Sequence, residues 1–120
     1  MLPHSTAVGK VLLAWQDDDH VRRVVTRFGL PARTANTLTT LADFREELVA
    51  VRERGWALDD EEEELGVRCM AVPVGPGAGA VVAVSVSAPA SRLEAGQADV
   101  VDALRRVAGQ LARSLAGAPA

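Results

Sequence analysis

One cysteine, two serines and a run of acids are the residues of this chain best placed to do chemistry. The acids, Asp59-Asp60-Glu61-Glu62-Glu63-Glu64, lead through Leu65-Gly66 into Val67-Arg68-Cys69-Met70-Ala71-Val72-Pro73-Val74. A second apolar run follows, Val81-Val82-Ala83-Val84-Ser85-Val86-Ser87. Successive side chains of a strand alternate faces, so Ser85 and Ser87 point one way and Val82, Val84 and Val86 the other. Small polar groups gathered on one face point to a ligand pocket rather than a plain core. Hydroxyls both donate and accept, which suits a carboxylate or hydroxyl group of a guest. The plainer alternative is a pair of serines at a sheet edge or against a helix.

Cys69 has two readings. Most free cysteines are small buried hydrophobes. A catalytic thiolate needs a base such as His4 or His20 beside it, or another setting that lowers its pKa. Nothing in the sequence supplies one, so no catalytic residue is expected. A metal site needs several ligands at short, regular spacing. Two histidines, one cysteine and scattered carboxylates do not provide that pattern, and neither a metal nor a cofactor is expected. The acidic run reads as a charged surface turn, and His4 as a structural histidine near a helix start.

The elements that must position these groups follow from periodicity and caps. Ser5 or Thr6 can cap a first helix to about Trp15, with Val8, Val11, Leu12 and Trp15 at helical spacing. Asp17 to Asp19 open a second, whose stripe is Val21, Val24, Val25 and Phe28; Gly29 and Pro31 end it. Residues 30–39 read as loop. Thr40 caps a third helix carrying Leu41, Phe44, Leu48 and Val51, and Gly55 closes it. Strands are expected at about 56–59, 67–74 and 80–87. The turn Gly75-Pro76-Gly77-Ala78-Gly79 makes the last two an antiparallel hairpin. Ser91 and Glu94 have the spacing of a capping box. They open a final amphipathic helix from about Leu93 to Ala116, with Val100, Leu104, Val107, Leu111 and Leu115 as its seam. Gly117-Ala118-Pro119-Ala120 reads as a frayed tail.

Length, charge and composition bound the class. A chain of 120 residues makes about one domain, and no repeat or linker divides residues 1–120. The net charge of −3 is the wrong sign for a phosphate-binding surface. The densest basic group, Arg22, Arg23 and Arg27, follows directly on Asp17, Asp18 and Asp19 and reads as a solvated helix face. One cysteine cannot form an internal disulfide, which fits a reducing compartment. No apolar run approaches the ~20 residues that span a bilayer, and residues 1–6 lack the pattern of a signal peptide. A soluble, cytoplasmic protein is expected. Three strands make a narrow sheet for four helices, so the chain reads as entered in the middle, with earlier strands missing.

Several motifs in register carry a family resemblance. They are Leu2-Pro3-His4-Ser5-Thr6-Ala7-Val8-Gly9-Lys10-Val11-Leu12-Leu13-Ala14; Leu48 through Asp60 with Val51-Arg52-Glu53-Arg54-Gly55-Trp56; Asp59 to Pro73; and Ser85-Val86-Ser87-Ala88-Pro89 with Ser91-Arg92-Leu93. With them the chain resembles the C-terminal effector-binding domain of IclR-type bacterial transcription regulators. The resemblance implies a GAF-like α+β fold, a curved antiparallel sheet flanked by helices, lacking its first strands here. It also implies that a winged helix-turn-helix, absent from this chain, binds the DNA. The effector, a carboxylic acid or aromatic compound, would sit between the sheet and the first helix. Ala7 and Val8 would take its acid group on backbone amides, a use that suits unpaired helix N-termini. Cys69 would floor the pocket, Ser85 and Ser87 would touch the effector, and Asp59 would accept from its hydroxyl or water; Asp60 is the neighbouring alternative. Partners implied are a small organic effector and further copies of the chain, as homodimer or homotetramer, with no nucleic-acid or membrane contact by this chain. The competing readings are a ligandless dimerisation remnant and a small enzyme using Cys69.

Overall fold

The computed structural model describes residues 2–75 and 82–116. The expected turn residues 76–79, strand residues 80 and 81 and the tail 117–120 lie outside them. Three helices come first: α1 (Ala7–Ala14), α2 (Asp18–Phe28) and α3 (Leu41–Arg54). Each begins on a side-chain cap. Thr6, extended at φ −118° and ψ 147°, accepts from Gly9 N through its hydroxyl, Asp17 accepts from His20 N and Thr40 from Asp43 N. Such caps satisfy N–H groups that have no partner within the helix. Gly55 ends α3 in the left-handed region, at φ 84°, where glycine is the least strained residue.

The strands β1 (Ala57–Asp60), β2 (Val67–Pro73) and β3 (Ala83–Pro89) form one antiparallel sheet in the order β1-β2-β3. The last strand runs on beyond the expected end at 87. It pairs on to Pro89 opposite Val67. A proline is tolerated there because β3 is an edge strand and needs no N–H on its outer side.

The expected capping box is not formed. The chain goes straight from β3 into α4 (Ala90–Ala95), whose N-cap is Pro89 with no side-chain bond. Ser91 therefore stands inside the first turn instead of before it. Gly96 then separates α4 from α5 (Gln97–Ala116), so the single final helix is two. The seam of α5 also differs from the expected one. Val101, Leu104 and Ala108 are buried, with Leu93 of α4, whereas Val107, Leu111 and Leu115 are exposed. The buried set keeps helical spacing from Val101, and Val107 lies off that face.

Alternation along the strands separates two cores. Ala57 and Ala71 face α1, α2 and α3, where Val11, Phe44 and Val51 are wholly buried. Each such side chain contributes about 1.5–3 kcal/mol relative to exposure. Met70 and Val72 face α4 and α5 on the other side. Phe28, expected in the stripe of α2, is about half exposed, with the Arg27 guanidinium 5.5 Å from its ring centre. The first helix lies directly on the sheet, with α3 packed against it. That approach depends on Gly9: a Cβ there would lie 2.4 Å from the Pro3 carbonyl oxygen.

Candidate functional site

The helix nearest the sheet carries the chain's single lysine, and that lysine is fully buried. Lys10 Nζ donates to the Leu58 carbonyl and to Glu62 Oε2, both at 2.8 Å, and stands 3.8 Å from Glu47 of α3. Both Glu62 oxygens are 2.8 Å from it, but Oε1 has no aligned hydrogen bond. Glu62 Oε2 also accepts from the Asp60 N–H at 3.0 Å. Burial raises the Glu62 carboxyl pKa, against the pull of the Lys10 ammonium. One ammonium thus ties α1 to β1, to α3 and to the acidic turn at 61–66.

The loop at 30–39 clasps that turn from outside. Thr37 Oγ1 donates to the Glu62 carbonyl at 2.5 Å, Thr34 Oγ1 to the Glu61 carbonyl at 2.6 Å, and Asn36 to the Asp60 carbonyl at 3.0 Å. His4 is buried and structural, as read from sequence. Its Nε2–H donates to the Pro31 carbonyl at 2.9 Å, while Nδ1 has no partner among the described residues.

Sheet register lines up the polar groups. Asp59 lies opposite Cys69, and Cys69 opposite Ser87, so the three form a row across the sheet; Ser85 lies in the next row on that face, opposite Ala71. Asp59 is buried, and its Oδ1 accepts from the N–H groups of Glu62 at 2.8 Å and Glu63 at 3.3 Å. Burial raises its pKa more than those two bonds and Lys10 lower it. Asp60 is on the opposite face, paired with Arg68 at 2.7 Å. The Cys69 sulfur and the Ser87 hydroxyl are 2.8 Å apart. Burial pushes the Cys69 thiol up; the Ser87 bond lowers it and neighbouring Asp59 raises it further.

All six residues named from sequence line one cleft between α1 and the sheet: Ala7, Val8, Asp59, Cys69, Ser85 and Ser87. Thr6, Glu63, Glu64 and Val67 complete the lining. The cleft holds about 180 Å³. An apolar cavity of roughly 150 Å³ admits a benzene ring, so the room matches one small ring or a short chain with polar groups. At one side of it, the Ala7 and Val8 N–H groups have no acceptor among the described residues, because Thr6 serves Gly9 and Lys10 instead. Such N–H groups carry the partial positive charge of a helix start and can receive an anion.

Sequence reasoning missed the acids' second role. The run at 59–64 is a surface turn only in part, since Asp59 and Glu62 are buried. It also missed Glu63 as a lining residue, whose carboxylate accepts from the Ser5 hydroxyl and lies 3.5 Å from Arg33. A lone lysine inside the apolar pattern of α1 was the available signal.

Fold and cleft together define a class: an antiparallel sheet, helices on both faces, and a helix start opening on a small cleft above one face. The chain belongs to the bacterial transcriptional regulator IclR C-terminal family, whose family model matches residues 1–113. The HTH-type transcriptional regulator KdgR of Dickeya chrysanthemi is 41% identical over 90 residues, which cover 74% of this chain and 30% of KdgR. The crystal structure of transcriptional regulator YaiJ aligns at a TM-score of 0.88 and 36% identity, over 96% of this chain and 66% of that one. The inducer-binding domain of Acinetobacter PobR, a double mutant in complex with 3-hydroxybenzoic acid, aligns at 0.85 and 32%, over 93% of this chain and 66% of that one. The chain spans less than half the length of the curated relatives it matches. Among the described residues no helix is long and apolar enough to cross a membrane.

Two outcomes follow from the buried charges. Lys10→Met strands Glu62 and destabilises the fold by about 3–5 kcal/mol in chemical denaturation. Adding Glu62→Gln recovers part of the loss, because the amide oxygen still accepts from Asp60 N–H. The second outcome concerns pH. A carboxyl whose pKa is raised on folding binds its proton more tightly in the folded chain. Its contribution to stability therefore grows as pH falls through the raised value and is lost as pH rises. Measured from about pH 4 to pH 7, the stability of the native chain minus that of Asp59→Asn falls as pH rises; a flat difference contradicts the raised carboxyl.

Proposed function

We propose that this chain is the small-molecule-sensing part of a bacterial transcription regulator. In this reading residues 1–120 form one effector-binding domain. It takes a small organic acid or aromatic compound in the cleft between α1 and the sheet. Ala7 and Val8 receive the acid group, Ser85 and Ser87 bond polar groups of the guest, Asp59 accepts from a hydroxyl or water, and Cys69 is the floor. Occupancy is passed to a winged helix-turn-helix outside this chain through a changed arrangement of a homodimer or homotetramer. Such coupling requires that the effector bind one arrangement better than the other. The work is done in the cytoplasm.

The observation that carries this reading is the convergence on one ring-sized cleft of Ala7 and Val8 at the start of α1, whose amides have no acceptor among the described residues, with the Cys69–Ser87 pair and Asp59. The acid complex of the PobR domain supports the chemical class of guest. Less supports an enzymatic reading through Cys69: no histidine lines the cleft among the described residues, and burial raises the pKa of the Cys69 thiol.

A panel of organic acids tests the proposal by thermal shift. At a hundred times its Kd, a true ligand stabilises the chain by about 2.7 kcal/mol and raises Tm by roughly 10 °C. Ser85→Ala and Cys69→Ser each weaken that ligand about fivefold, the worth of one hydrogen bond, with the fold retained. No shift from any acid, or unchanged affinity in both variants, contradicts the assignment.

A further inference from the structure

The cleft carries no cationic side chain. Its lining contains Asp59, Glu63 and Glu64, and among the described lining residues no lysine, arginine or histidine. What favours negative charge there is the start of α1, worth about half a unit charge shared by its free N–H groups. Two such groups, Ala7 and Val8, are enough for one carboxylate. Glu63 is held beside that helix start, with the Ser5 hydroxyl on one oxygen and Arg33 at 3.5 Å from the other. Both backbone N–H groups that bond Asp59 do so at Oδ1, and Oδ2 takes neither.

We propose that Asp59 and Glu63 restrict the effector to a single carboxylate combined with a hydroxyl donor, and that they exclude dicarboxylates. This rests on reading the cleft as the effector site. In about 180 Å³, a second carboxylate has no place remote from all three acids. Like charges that close repel, most of all at Asp59, which is the buried one of the three and the least screened by water. A hydroxyl at the same position donates to Asp59 Oδ2 or to Glu63 and turns the same acids into partners. Glu63 is thus a specificity-determining residue that works by rejecting the wrong guest.

Two matched series test this by isothermal titration on the purified chain. One is benzoate, 3-hydroxybenzoate and benzene-1,3-dicarboxylate. The other is pentanoate, 5-hydroxypentanoate and pentanedioate. Within a series the hydroxy acid binds tightest, and the dicarboxylate is about tenfold weaker or more. Glu63→Gln narrows the deficit of the dicarboxylate, and Glu64→Gln moves it in the same direction. Asp59→Asn reduces the advantage of the hydroxy acid over the plain acid. A dicarboxylate that binds the native chain as tightly as its hydroxy acid overturns the selectivity and leaves the cleft reading intact. A deficit unchanged in Glu63→Gln removes Glu63 from the role. No binding by any of the six compounds overturns the cleft reading itself.

Discussion

The buried Lys10 ammonium is the constraint on which the rest of the structure depends. It reaches Leu58 of β1, Glu62 of the acidic turn and the neighbourhood of Glu47 on α3 from a single point on α1. Burying an ammonium is costly unless every donor finds a partner. Here the partners come from three different segments, so α1 has one seat on the sheet that satisfies them. That seat sets the helix start above Cys69, Ser85 and Ser87. The close approach of Pro3 to Gly9 fixes the chain entering the helix in the same place.

The acids belong to the folding network and to the cleft lining at once. Glu62 answers Lys10, and its backbone N–H in turn holds Asp59. Asp59 then lies between the folding network and the cleft. Burial raises its carboxyl pKa, which is the expense of keeping an acceptor away from bulk water. The N–H groups of Ala7 and Val8, which have no acceptor among the described residues, are a similar compromise. The Thr6 cap serves Gly9 and leaves the two N–H groups before it open to the cleft, where an anion can be received. An arrangement of this kind needs rigid support, and the clasp of Thr34, Asn36 and Thr37 on the turn supplies it.

What was legible in the sequence was local. The caps at Thr6, Asp17 and Thr40 and the stop at Gly55 depend on a few neighbouring residues, and each lies where it was expected. Period-two alternation placed Ser85 and Ser87 on a common face. The family motifs added the α1 amides, Asp59 and Cys69 as candidates. The rest required partners distant in the chain. Lys10 and Glu62 are 52 residues apart, and although the apolar neighbours of Lys10 hint at its burial, nothing local names its partner. The choice of Asp59 over Asp60 needed the strand register, since alternation sends them to opposite faces. The division at Gly96 was hidden because both helices read as one continuous amphipathic pattern, and the capping box failed because β3 pairs two residues beyond its expected end.

In the proposed reading the Ala7 and Val8 amides at the start of α1 face a cleft that takes an acid. Backbone amide NMR tests it most directly. With the tightest acid titrated into the ¹⁵N-labelled chain, the account predicts saturable shifts of the Ala7 and Val8 amides, together with those of Cys69, Ser85 and Ser87. Saturable shifts confined to α5, with the α1 amides unmoved, would contradict it.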